Sequence, residues 1–193
     1  MDLIPDLPDS LLVSNYLKGN TNAFTILIHR YKSRIYTSIY LLVKDKYLAE
    51  DIFQETFIKV LDKLNSGNYT EEGKFLPWAM RIAHNLCIDH FRKIKRVPAI
   101  ITSDDKNFFE FINFTEPSAE EKIIKKERAV TINKMLDLLP EDQREVIILR
   151  HYAELSFKDI AFITNCSINT ALGRMRYGLA NLRKMMEQKQ IAI

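Results

Sequence analysis

The sequence is short of what several protein classes require. Its two cysteines, Cys87 and Cys166, stand seventy-nine positions apart, which makes neither a disulfide framework nor a paired zinc motif. Five glycines and six prolines in 193 residues exclude a collagen, a low-complexity chain and a sandwich of many tight turns. No apolar run approaches the roughly 18 residues that span a bilayer, so no membrane insertion is expected. The opening MDLIPDLPDS is acidic and punctuated by proline, unlike a secretory signal. A reducing, cytoplasmic setting is the expectation. There is no Ser-His-Asp arrangement, glycine-rich phosphate loop or pair of catalytic carboxylates. Neither catalytic residues nor a cofactor is expected, and the chain does not read as an enzyme.

Apolar content and local charge are present instead. A hydrophobic fraction of 47% is enough for packed cores, and the length allows one domain or two small ones. Residues 1–92 carry eleven basic and eleven acidic groups, and 93–127 carry seven of each. The net charge of +3 therefore comes entirely from 128–193, with ten against seven. Arg174, Arg176, Arg183, Lys184 and Lys189 gather there, and Arg92, Lys93, Lys95 and Arg96 make a second basic knot. Cations clustered on otherwise balanced segments point to local contacts with a polyanion.

The apolar pattern is helical throughout, which predicts an all-α fold. Phe24, Leu27, Ile28, Tyr31, Ile35, Ile39 and Leu42 recur at three- and four-residue steps over 22–43. A second helix is expected over 48–64, with Ile52, Phe53, Phe57, Val60, Leu61 and Leu64 inward and Ser66-Gly67-Asn68 as its stop. A third is expected from about Pro77 to Lys95. Pro98 closes this block, and 98–120 reads as a linker, although Phe108, Phe109, Phe111 and Phe114 are unusual in a solvated tether. Helical pattern resumes at about 118 and runs to Leu139. Shorter helices are expected over 141–152 and 157–164, and a last one from Ser167 to about Gln188. Thr164-Asn165-Cys166-Ser167 makes the turn of a helix-turn-helix. In the last helix Ile168, Leu172, Met175, Leu179, Leu182 and Met186 are expected to face the core. Ser167, Thr170, Arg174, Tyr177, Asn181 and Lys184, with Arg176 on the flank, are then available to a major groove.

Two faces of the first block are candidate sites. Asp51, Gln54, Glu55 and Ile58 share one side of the second helix, either a docking surface for another protein or a plain solvated face. On the third, Trp78, Arg81, Asn85, Asp89 and Arg92 step by three and four, with Lys93 adjoining. Tryptophan stacks on bases, arginine binds phosphate and asparagine hydrogen-bonds a base edge, so this face suits unstacked single-stranded nucleic acid. Alternatively, Trp78 caps the core and Arg81 pairs with a carboxylate. His84, Cys87 and His90 invite a metal reading. At about 100° per residue they spread around the helix without a fourth ligand, and no metal is expected.

The run LAEDIFQETFIKVL at 48–61, followed by FLPWAMRIAHNLCIDHFRK at 75–93, resembles domain two of a bacterial RNA polymerase sigma factor. The segment 138–184, from LLPEDQREVIILRH to YGLANLRK, resembles domain four. The two occur in order with no room for the extra domain of larger relatives, an economy similar to the extracytoplasmic-function (ECF) group of the sigma-70 family. The resemblance implies two small helical domains, 1–97 and 121–193, joined by a flexible linker at 98–120. It implies that Asp51, Gln54, Glu55 and Ile58 dock on the β′ clamp helices of core RNA polymerase. The Trp78-to-Lys93 face would hold the unwound −10 promoter strand. The helix-turn-helix would read duplex −35 DNA and bind the β flap, and an anti-sigma factor would be a further partner. The linker of this chain is neutral where many relatives are acidic. Asn165 stands in place of a turn glycine, and Leu172 and Gly173 stand where relatives often carry a basic or hydroxyl residue. A stand-alone helix-turn-helix regulator is the alternative, leaving the 48–93 motifs without a use. A metal-dependent or interaction module built on His84, Cys87 and His90 is the remaining one.

Overall fold

The structure, a computed structural model, describes residues 7–69, 73–96 and 131–188, with Lys95 and Arg96 described by backbone alone. The expected linker with its four phenylalanines, and the helical pattern expected before residue 131, lie outside these stretches. All regular structure among the described residues is helical. The chain divides into two compact units, residues 1–104 and 105–193.

In the first unit, α1 (Asp9–Leu17), α2 (Thr21–Val43), α3 (Lys46–Asn65) and α4 (Phe75–Arg96) are organised around α2, which packs against the other three. Every residue from Thr37 to Leu42 is buried, which is why this half of α2 is uncharged all round rather than amphipathic. Asn20 caps α2 by accepting the Asn22 amide, and Lys44, with φ of 60°, ends it. Asp45 then caps α3 by accepting the Leu48 amide at 2.9 Å. These two adjacent signals turn the chain back on itself in two residues. Ile52, Phe57, Val60 and Leu64 face inward from α3 as their spacing predicts, with Phe53 and Leu61 half-buried. Gly67, with φ of 71°, takes the chain out of the helix where the Ser-Gly-Asn signal was read.

The sequence pattern gave no warning of α1. This nine-residue helix starts directly after Pro8 and is held by polar contacts as well as by Leu12 and Val13. Asp9 accepts from the Arg30 guanidinium and from the Tyr31 hydroxyl, each at 2.6 Å, and the Tyr16 hydroxyl donates to Asn65 on α3. Asp9 also lies in the first turn of α1, where a carboxylate suits the helix dipole. Burial, reinforced by the hydrogen bond and charge of Asp9, pushes the Tyr31 hydroxyl from its ordinary 10.0 up to about 12.

In the second unit a helical turn at 131–136, here α5, leads through Leu139 to α6 (Glu141–His151), α7 (Phe157–Ile163) and α8 (Ile168–Gln188). Glu141 and Asp142 fill the first turn of α6 as expected, and α8 packs against both α6 and α7. The inward side of α8 departs from the expectation. Ile168, Leu172 and Leu179, assigned to the core by their spacing, remain 45%, 44% and 49% exposed. Ala171 and Gly178 are buried in their place, with Met175, Leu182 and Met185 packed on Leu136, Leu139 and Ile147. At about 100° per residue, the buried side is rotated by roughly 60° from the large-residue stripe. The cause is close packing at a small residue. A Cβ on Gly178 would stand 2.8 Å from Ile147 Cδ1 and 3.3 Å from Gln143 Cβ, so α6 and α8 approach where side chains are absent.

Two outcomes follow. Gly178→Val overpacks the α6–α8 contact and destabilises the second unit by roughly 2–3 kcal/mol, read as a lowered denaturation midpoint of the full chain. Tyr31 favours the fold while its hydroxyl is protonated, so its contribution is intact below pH 10.0 and lost as pH rises through about 12. Absorbance titration should find one tyrosine ionising near that upper value. In Asp9→Asn the value falls toward 10.0 without reaching it, because burial is the larger cause.

Candidate nucleic-acid interfaces

Helix α3 uses one side for the core and leaves the other bare. Asp51, Gln54, Glu55 and Ile58 all lie exposed on that outer side, Ile58 at 58%. An isoleucine so exposed among acids has no packing role within the unit. Asp51 and Glu55 also form one wall of a groove of about 400 Å³ between α3 and α4. Asp89, Arg92 and Lys93 line the other wall. Two sets of residues treated separately in the sequence therefore meet, in part, around one groove. The charges are held loosely. Glu55 pairs with Lys59 at 3.1 Å and Asp89 with Arg92 at 3.5 Å, both largely exposed. Exposed pairs of this kind contribute about 0–1 kcal/mol each, so a partner can exchange them at little cost.

The N-terminal part of α4 is more firmly built. Trp78 is half-buried, with the Tyr69 ring 4.2 Å away and tilted by 42°, and the Phe75 ring at 5.9 Å. Phe75 is fully buried and stacks in turn on Tyr31 at 5.9 Å. Trp78 is thus part of an aromatic cluster rooted in the core, close to the capping role weighed for it. Arg81 is half-buried, whereas Asn85, Asp89, Arg92 and Lys93 are exposed. Tyr69 is a member of this site that helical spacing missed, since it lies before α4 in the α3–α4 connection. An aromatic residue just past a Ser-Gly-Asn stop was the available signal. His84 and Cys87 are buried in α4, and His90 is half-buried beside Phe91. Among the described residues no three His, Cys, Asp or Glu side chains converge as metal ligands.

The helix-turn-helix of the second unit forms at the expected residues. Ser156 caps α7 by accepting the Asp159 amide at 3.2 Å. Asn165 adopts φ of 52°, the left-handed conformation the turn requires. Ser167 starts α8 by accepting the Thr170 amide at 3.0 Å, and its hydroxyl also meets that of Thr170 at 2.8 Å. Ser167 therefore serves as the N-cap, and both hydroxyl-bearing residues remain exposed. Arg174 is not the open cation its spacing implied. Its side chain is only 27% exposed, and Nε lies 3.2 Å from Asp142 Oδ2 on α6. Arg176 lies over the Tyr177 ring at 5.0 Å and donates to the Tyr177 hydroxyl, while Lys184 projects into solvent. Asn181 donates to Gln143 at 2.9 Å, a second polar tie between α8 and α6.

Comparison with known proteins adds the following. The family description Sigma-70 region 2 matches residues 27–97, and Sigma-70, region 4 matches residues 129–177. The chain is 32% identical to the RNA polymerase sigma-H factor of Pseudomonas aeruginosa over 86% of its own length and 88% of the relative's. It is 31% identical to the ECF RNA polymerase sigma factor SigW of Bacillus subtilis, over 88% and 91% respectively. It is 30% identical to the ECF RNA polymerase sigma-E factor of Escherichia coli, over 88% and 89%. Among solved structures, CnrH in complex with the cytosolic domain of CnrY superposes with a TM-score of 0.68 at 19% identity, covering 94% of this chain and 99% of that one. RpoE in complex with the anti-sigma factor NepR, from Bartonella quintana, superposes with a TM-score of 0.66 at 20% identity, covering 85% and 96%. At that identity these likenesses establish the fold.

The sequence contains a single tryptophan, so intrinsic emission reports on the Tyr69 contact. Tyr69→Ala uncovers Trp78 and shifts its emission to the red without loss of helical circular dichroism. An unchanged spectrum would show that the stack is not held in solution.

Proposed function

The chain belongs to the ECF group of the sigma-70 family, a sigma factor that directs promoter-specific transcription initiation, and from that premise we propose which surfaces do the work. The first unit holds core RNA polymerase through the outer side of α3, with Asp51, Gln54, Glu55 and Ile58 against the β′ clamp helices. The observation that carries this is an exposed isoleucine set among exposed acids, next to a groove whose ion pairs exchange readily. The α4 face holds the unwound −10 strand. Asn85, exposed, takes a base edge, and Arg81, Arg92 and Lys93 take phosphates beside Asp89. Trp78, carried on the core and covered by Tyr69, forms the floor of that site. The second unit reads duplex −35 DNA with α8, through Ser167, Thr170, Arg174, Arg176, Tyr177 and Lys184, and also meets the β flap.

The roles divide as 1–97 for polymerase docking and the −10 element, 98–120 as linker and 121–193 for the −35 element. The chain supplies binding and no chemistry, so it is not an enzyme. It acts in the cytoplasm, a reading compatible with the lack, among the described residues, of a helix long and apolar enough to cross a membrane. A further partner is a protein that hides the polymerase-binding surface. The complexes of CnrH with CnrY and of RpoE with the anti-sigma factor NepR support that class of partner.

Reconstitution tests the reading. The chain, added to sigma-free core polymerase from its own source, produces discrete transcripts from genomic DNA. Replacing Asp51, Gln54 and Glu55 together with alanine weakens core binding at least tenfold while leaving the melting profile in place, since all three are exposed. Transcription that persists with that triple variant at unchanged affinity would remove α3 from the interface.

A further inference from the structure

Two glycines interrupt α8, and only one has a structural reason. Gly178 admits Ile147 and Gln143, as described. Among the described residues a Cβ at Gly173 would meet nothing within 4 Å, and the residue carries no positive φ, so neither packing among them nor backbone conformation requires glycine there. A glycine inside a helix weakens it relative to alanine. A partner that approaches the helix where Gly173 leaves it bare would give that glycine a reason.

The surroundings indicate the chemistry of that visitor. Gly173 is in the second turn of α8, on the part of a helix-turn-helix recognition helix that meets base edges. Its helical neighbours at three and four positions are Asn169, Thr170, Arg176 and Tyr177, all exposed. Beside it Leu172 stands 44% exposed, one turn beyond Ile168 at 45%, both rotated out of the core by the close approach at Gly178. Of the cations nearest this notch, Arg174 is paired with Asp142 and its side chain is 27% exposed, while Arg176 is exposed over the Tyr177 ring. An exposed apolar side chain beside a bare backbone offers no donor to the acceptor edge of guanine. It matches the C5-methyl group of thymine, the apolar feature of the major groove.

We infer that Gly173 is a notch that lets the −35 duplex come close to α8, and that Leu172 beside it reads a thymine methyl group. The inference rests on the sigma-factor reading of α8 and specifies what that helix recognises. Leucine there supplies an apolar contact, and glycine removes the side chain that would hold the groove away.

The test uses holoenzyme assembled from the full chain and its own core polymerase. Promoters are selected from a pool randomised across the −35 region, and each selected thymine is then replaced singly by deoxyuridine, which removes the methyl and keeps the pairing. Competition binding is expected to find one position where the loss is about fourfold, the worth of one buried methyl. That loss disappears in Leu172→Ala. Gly173→Ala lowers −35 discrimination at least tenfold while the melting temperature of the chain stays level or rises. Tolerance of deoxyuridine at every position, or a methyl effect that survives Leu172→Ala, would overturn the inference. So would a lowered melting temperature in Gly173→Ala, or a Gly173→Ala chain that loses core polymerase yet keeps its −35 preference. No −35 preference of any kind would overturn the reading of α8 as a −35 reader, and this inference with it.

Discussion

A helix in a small bundle can bury only one side, and what it does with the other side decides what the molecule is for. In the first unit α2 is the exception, packed by α1, α3 and α4 and buried and uncharged all round from Thr37 to Leu42. Because α2 supplies so much of the core, α3 and α4 need to contribute only one face each. Their remaining faces carry Asp51, Gln54, Glu55 and Ile58 on one helix and Asn85, Asp89, Arg92 and Lys93 on the other, with part of each set around a single groove. The second unit follows the same logic with α8 as its central helix. A seam of small residues brings α6 close, and the larger apolar side chains are left outside.

Much of this was legible in the sequence because it depends on local signals. The stripes of α2 and α3, the Asn165 turn and the caps at Ser156 and Ser167 follow from spacing and turn chemistry, and each formed where expected. The rotation of α8 was not legible, because periodicity weighs large apolar residues and gives no weight to a glycine. Gly178 drew α6 in, which moved the buried side toward Ala171 and away from Leu172 and Leu179. Helix α1 escaped for a related reason. It is nine residues long, and much of its hold comes from Asp9 with Arg30 and Tyr31, a tertiary contact across about twenty positions. The same applies to Arg174, whose partner Asp142 lies on another helix, and to Tyr69, which joins the site from a connection rather than from a helical face.

These details change the physical character of the DNA surfaces. A reading from composition alone would make the last helix a row of cations held by phosphate attraction. The structure has Arg174 and Arg176 already in contacts of their own and Leu172 uncovered. On the proposed reading, such a surface adds apolar fit at Leu172 to the attraction of its remaining cations. On the proposed reading, a net charge of +3 shared between two DNA elements gives the chain alone modest affinity for DNA. Core polymerase supplies the difference by holding both units at once, so that the second contact forms at high effective concentration.

The most direct test of that account is the preference for a cognate promoter over a scrambled duplex of equal length, measured at one salt concentration for the chain alone and for the chain on core polymerase. Weak discrimination by the chain alone, rising by roughly two orders of magnitude or more on the polymerase, is the predicted result. Equal discrimination with and without polymerase would make the helix-turn-helix self-sufficient and contradict the account.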